Sequence, residues 1–179
     1  MATYGMIDLE TLSTRPDAAI LTVGAIKFNP HADVEPHSGR YWRLNVDEQT
    51  ALGRHVDEGT LTWWNQQPAA IKDEALSDHD RTNVLIFLKE LNKWAVGLDL
   101  LWCQGPLFDY QILQNLYAQM QTPVPWNYWQ IRDSRTLFDL LPEDPRKKMQ
   151  TSLHNALADC YYQAKCVQQT FKQLGVKTK

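Results

Sequence analysis

Three β-type segments crowd the N-terminal part of the chain, and after them the hydrophobic period changes. Residues Thr3 to Leu9, Ile20 to Phe28 and Arg40 to Val46 are rich in Ile, Val, Tyr and Trp and are separated by Pro, Gly, Asp and Asn, so they read as strands. Connections this short favour antiparallel pairing of successive strands. Further on, Val84, Leu85, Leu88, Leu91 and Trp94 recur at helical spacing in a stretch from about Asp80 to Val96, with Gly97 as its stop. Leu98 to Cys103 reads as a strand buried on both faces. A helix from about Phe108 to Met120 follows, ended by Pro123 and Pro125, then an extended piece around Tyr128 to Ile131 and a helical segment from Ser134 to about Leu141. The last element is the clearest: Leu157, Cys160, Tyr161, Ala164, Val167, Phe171 and Leu174 recur every three or four residues, and Asn155 is placed to cap their helix. Hairpin-linked strands followed by alternating helix and strand predict an α/β architecture, a mixed sheet flanked by helices.

Size agrees with one compact domain over residues 1–179, since 179 residues that are 44% hydrophobic and include 7 Trp bury one ample core but are few for two. The formal charge of −3 advertises no global attraction for nucleic acid, although carboxylates gathered to hold cations would themselves contribute to it. Cys103, Cys160 and Cys166 have neither the C-x-x-C spacing of a zinc or redox site nor an even count, which fits a reducing cytoplasm. No basic stretch precedes a long apolar run, so the reading includes no secretion signal and no membrane span.

The acidic residues carry the chemistry. Asp8 and Glu10 lie two apart at the end of the first strand, so the pleat sends both to one face, in a segment otherwise apolar. Asp109 follows the Leu98–Cys103 strand through the turn Gln104-Gly105-Pro106, near the carboxyl edge where open α/β sheets hold ligands. His154 and Asp159 are five apart, about one and a half helical turns, so they cannot share a helix face; His154 is expected in the entry loop, leaning over a site that Asp159 reaches from the first turns. Individually each has an ordinary explanation, as a solvated strand end, a helix-dipole partner or a structural histidine. Together they provide four hard oxygen donors suited to Mg²⁺ or Mn²⁺ and one general base with a pKa near neutrality. Two such ions about 3.5–4 Å apart can clamp a phosphodiester, activate water and stabilise the departing oxygen. One histidine without H-E-x-x-H argues against a zinc hydrolase, and no G-x-S-x-G supports a serine hydrolase.

The order D-x-E, F-D, H-x-x-x-x-D, here Asp8-Leu9-Glu10, Phe108-Asp109 and His154 to Asp159, resembles the DEDDh subgroup of DnaQ-like 3′-5′ exonucleases. More narrowly, Met6 to Leu12, Trp63-Trp64 and Arg132 to Thr136 resemble the phage DexA-type enzymes and the N-terminal region of exonuclease VIII. The resemblance implies an RNase H-like fold with a mixed five-stranded sheet, two Mg²⁺ or Mn²⁺ ions held by Asp8, Glu10, Asp109 and Asp159, and His154 as general base. The expected activity is stepwise release of nucleoside 5′-monophosphates from 3′ ends of single-stranded DNA or RNA, and related enzymes often form homodimers. Gly105 departs from the N-x-x-F-D common in the subgroup, as the phage enzymes do.

Thr11, Leu12 and Phe108 adjoin the motifs and are candidate substrate contacts, as are Trp63 and Trp64, of which one at most can face a groove because adjacent helical residues point about 100° apart. Trp126, Tyr128 and Trp129 read as packing beneath the last strand, Asp133 as a structural partner for a neighbouring arginine or support for the metal cluster, and Arg146 to Lys148 as a solvated turn in the loop Pro142 to Thr151. Two alternatives remain: an inactive nuclease-like fold kept as a nucleic-acid-binding or interaction module, which a missing ligand would have favoured, and an RNase H-type endonuclease, which the H-x-x-x-x-D arrangement disfavours.

Overall fold

The computed structural model describes residues 2–148 and 154–177. Its five strands, β1 (Tyr4–Thr11), β2 (Ile20–Phe28), β3 (His37–Arg43), β4 (Leu100–Cys103) and β5 (Ile131–Asp133), form one sheet in the order β3-β2-β1-β4-β5. β1 pairs antiparallel with β2, and β2 with β3, whereas β1–β4 and β4–β5 are parallel. The parallel pairs need crossovers, supplied by α1 (Val46–Ala51), α2 (Glu58–Asn65), α3 (Ala69–Leu76) and α4 (Val84–Ala95) before β4, and by α5 (Asp109–Gln119) before β5. α6 (Ser134–Phe138) and α7 (Ala156–Leu174) close the described chain.

Strand alternation divides the core. Ile7, Leu9, Val23, Ala25, Leu101 and Cys103 face α4 and α5, while Met6, Ile26, Phe28 and Trp102 face α7 through Cys160, Ala164, Val167 and Phe171. Asp8 and Glu10 therefore continue the Met6 face, on the α7 side and at the carboxyl end of β1. A third cluster, with Leu12, Leu21 and Trp64, lies under α2 and α3.

Several boundaries differ from the sequence reading. β3 covers His37–Arg43 rather than Arg40–Val46, because Asn45 turns the chain by accepting the Glu48 N–H at 2.9 Å and thereby starts α1 at Val46. Its first four residues are exposed edge positions, which hid them from a hydrophobicity argument. α1, α3 and the bounds of α2, beyond a helical Trp63-Trp64, were not anticipated; the three span six to eight residues, too short to develop a recurrent apolar stripe, and Asp57, which accepts the Thr60 N–H at 2.7 Å, was the available signal for the start of α2. α4 starts at Val84 rather than Asp80, since Asn83 caps it. β4 begins at Leu100 because Asp99 is exposed and accepts the Thr3 N–H at 2.8 Å. α6 stops at Phe138, short of Leu141. Trp126 is buried edge-on against Tyr110 and Tyr117, but Tyr128 is 84% exposed and Trp129 also faces solvent, so the packing expected of these two is absent. Tyr128–Gln130 forms a 3-10 turn ahead of β5 rather than part of it. Among the described residues no helix is long and apolar enough to cross a membrane.

The start of α7 is seated on β2 at Gly24, which pairs across the sheet with Asp8. A Cβ at position 24 would lie 2.1 Å from the Ala156 carbonyl oxygen and 2.4 Å from the Leu157 nitrogen, both backbone atoms. Gly24→Ala should therefore destabilise the protein by ~1–3 kcal/mol, visible as a thermal midpoint lower by roughly 2–12 °C. An unchanged midpoint would show that α7 is not held at this contact.

Candidate functional site

β1 brings Asp8 and Glu10 to one face, and the bulge in the β1–β2 pairing between Glu10 and Thr11 ends the regular ladder just beyond them. α7 approaches that face over Gly24, so Asp159 in its first turn meets the same spot. One carboxylate oxygen each from Asp8, Glu10 and Asp159 lie within 4.8 Å of one another, a grouping that could hold a metal ion.

Asp109 arrives from the other side. The Cys103-to-Asp109 turn depends on Gly105 at φ +119°, a conformation essentially restricted to glycine, and the Gly105 carbonyl accepts the Phe108 and Asp109 N–H groups at 2.9 and 3.3 Å. This explains locally why an Asn is not at position 105. Asp109 is 3% exposed, and its Oδ1 accepts the Leu9 N–H of β1 at 3.2 Å; it is not among the three carboxylates that meet within 4.8 Å.

His154 stands outside α7, as the five-residue spacing required. Its backbone is left-handed at φ +67°, and Asn155, accepting the Ala158 N–H at 3.0 Å, starts the helix after it. Its Nδ1 lies 3.8 Å from Glu10 Oε1. Trp63 packs edge-to-face on the imidazole at 4.8 Å between centroids, and Trp64 lies behind at 6.3 Å. Trp63 is 40% exposed, whereas Trp64 is 1% exposed with its Nε1 donating to the Thr11 carbonyl at 2.9 Å. Thr11 and Leu12 are buried, and Phe108 is half-buried against the core. Of the substrate contacts expected from sequence, Trp63 presents the large exposed ring.

Asp133 caps α6, its carboxylate accepting the Arg135 N–H at 3.2 Å and the Thr136 hydroxyl at 2.6 Å, and it takes no part in the three-carboxylate group. Arg146 pairs with Asp144, its Nε 2.9 Å from Oδ1. Residues 149–153 of the loop, with Thr151, and the side chain of Lys148 lie outside the described residues. One participant was missed from sequence: Gln163, one turn beyond Asp159 on α7, donates from Nε2 to Asp8 Oδ1 at 3.0 Å, and its own Oε1 is buried with no partner among the described residues. The four-residue offset from Asp159 was the signal, because i and i+4 share a helix face.

Crowded carboxylates resist ionisation. Burial, then repulsion from Asp109, Glu10 and Asp159, raises the Asp8 carboxyl well above its ordinary range, with the Gln163 amide opposing. Burial likewise raises Asp109, against the Leu9 N–H, and lifts Asp159 to about 6, helped by Glu10. The Glu10 carboxylate raises His154, with partial burial opposing. Carboxyls raised in the folded state stabilise it where they are protonated and penalise it as pH climbs through their folded pKa values. A raised histidine stabilises below its unfolded pKa and loses that contribution above its folded one, so both signs agree. In chelator, the thermal midpoint should rise as pH falls from about 8 to about 6; a flat or opposite trend in scanning calorimetry would contradict this electrostatic picture.

Known proteins share this architecture. The exodeoxyribonuclease of Enterobacteria phage T4 is 27% identical over 164 residues, covering 76% of this chain and 70% of that protein. Among solved structures, E. coli exonuclease I in complex with a dT13 oligonucleotide matches 98% of this chain at a TM-score of 0.73 and 16% identity, and the zinc-bound form of its single-stranded DNA complex matches 98% at 0.72 and 15%. The chain spans 42% and 41% of those two chains, less than half of exonuclease I. That likeness shows the fold, an RNase H-like mixed sheet flanked by helices. The family profile of the 3′-5′ exoribonuclease Rv2179c-like domain matches residues 3–171; the chain belongs to that family and is a DnaQ-like 3′-5′ exonuclease.

Proposed function

We propose that residues 1–179 act as one exonuclease domain that hydrolyses the terminal phosphodiester at the 3′ end of single-stranded DNA or RNA and releases nucleoside 5′-monophosphates. The observation that carries the reading is the meeting of Asp8, Glu10 and Asp159 within 4.8 Å, with the His154 imidazole beside Glu10. Carboxylates pressed together at a cost in ionisation, with no arginine or lysine of the described residues paired among them, fit hard divalent cations. Asp8, Glu10, Asp109 and Asp159 would hold two Mg²⁺ or Mn²⁺ ions, which when bound supply charge to the phosphate and lower the pKa of a coordinated water.

The chain's own groups do the rest. His154 Nδ1 is directed toward Glu10, and the unprotonated imidazole accepts the proton of the attacking water, in the orientation imposed by Trp63 and the left-handed backbone. Trp63 offers an exposed indole to the terminal base, and Phe108, half-buried next to Asp109, is a second candidate contact. The names of the relatives divide on the sugar, since the family is described as exoribonuclease and the phage T4 relative as exodeoxyribonuclease. Both strands therefore belong in the assay. Three thiols without paired spacing agree with action in a reducing cytoplasm.

With Mg²⁺ or Mn²⁺, purified protein should shorten 5′-labelled single-stranded DNA, RNA or both one nucleotide at a time, and Asp8→Ala should lower the rate at least ~100-fold. Absence of metal-dependent shortening of either strand on a sequencing gel would reject the proposal, and cuts inside a circular substrate would favour an endonuclease. Gln163→Leu removes the amide that orients Asp8 while keeping the bulk in the helix face. It should weaken Mn²⁺ affinity by roughly 10–100-fold, read by titration calorimetry, with the fold unchanged by circular dichroism.

A further inference from the structure

The described basic side chains near the motifs are mostly committed elsewhere. Arg132 donates to the Trp129 and Ile131 carbonyls at 2.6 and 2.8 Å, and Arg146 is paired with Asp144. Arg135 is different. It is exposed on the first turn of α6, its main chain is held by the Asp133 cap, and its guanidinium makes no hydrogen bond or ion pair with another described residue. The fork is nevertheless located: a Cβ at Gly105 would stand 3.5 Å from Arg135 Nη1 and 4.0 Å from Cζ, so the guanidinium lies over the bare glycine of the turn that delivers Asp109. Its charge is felt at the Asp109 carboxyl, although the two groups form no ion pair within 4 Å.

We propose that Arg135 is a phosphate-binding residue of this site, its exposed guanidinium engaging a phosphodiester of the substrate strand beside the Gly105 turn. The proposal rests on the exonuclease reading above. A cluster of carboxylates repels a polyanion, and a cation at its rim gives the strand a point of attachment beside Asp109. Arginine suits that task because its planar fork meets two phosphate oxygens at once, which a lysine ammonium cannot. The fork lies within ordinary van der Waals reach of the turn at Gly105, on the side of the turn that delivers Asp109.

The test compares wild type, Arg135→Ala and Arg135→Lys on a 5′-fluorescein single-stranded oligothymidylate, measuring binding with Ca²⁺ in place of Mg²⁺ and cleavage with Mg²⁺. Arg135→Ala should raise Kd and KM roughly tenfold or more, with kcat changed less than KM. It should also make the dependence of log K on log salt shallower by about 0.7. Arg135→Lys should retain the salt slope with intermediate affinity, and all three proteins should share one thermal midpoint. Should the alanine variant fail to fold, Arg135→Gln carries the same comparison. A cleaving wild type whose Arg135→Ala variant keeps the Kd and the salt slope overturns this proposal alone. A wild type that neither binds nor cleaves this strand or the matching oligouridylate overturns the exonuclease reading with it.

Discussion

The backbone of α7 rests directly on the backbone of β2, and the arrangement of the site depends on that contact. Gly24 is the register partner of Asp8, and the Ala156 carbonyl occupies the place where its side chain would be. Side-chain-mediated packing of a helix on a sheet keeps the two backbones well apart. Here the first turn is drawn down to the sheet, which brings Asp159 to the β1 carboxylates, and Gln163 one turn on reaches Asp8. Cys160, Ala164 and Val167 bury the same helix against Met6 and Ile26, so the geometry of the site is inherited from the core beneath it.

The same closeness opposes stability. Three carboxyls with raised pKa values share a small volume, and a folded chain keeps such charges together only because the surrounding packing overrides their repulsion. His154 is held in a similar way, with a left-handed backbone and an imidazole wedged between Trp63 and Glu10. Strain and unfavourable charge concentrated in one place, on an otherwise regular sheet, are the pattern expected where a fold gives up local stability for chemistry.

The five principal residues were legible because each lies next to a strong element signal: an apolar strand for Asp8 and Glu10, a strand-turn-helix transition for Asp109, and a capped amphipathic helix for Asp159. The entry-loop position of His154 followed from helical geometry alone. Less was legible where tertiary packing overrides local pattern. α1 to α3 are too short for periodicity, and the exposed beginning of β3 has an edge strand's polar composition. Trp63 and Trp64 are indistinguishable by residue type, yet one is core and the other lines the site. The i+4 offset puts Gln163 on the Asp159 face of α7, but its pairing with Asp8 on β1 is a tertiary contact that the offset alone does not specify.

β1 is longer than its parallel neighbour. β4 pairs only with Tyr4, Gly5 and Met6, so the Leu9 N–H further along has no strand partner on that side, and the Asp109 carboxylate accepts its hydrogen bond. Asp109 thus acts as the missing acceptor of a ladder that has run out, as well as a carboxyl beside the candidate site. Its two duties are separable in principle, since an amide could keep the first and lose the second. The candidate site has formed where the sheet stops, and a longer β4 would have satisfied the backbone while closing off that place.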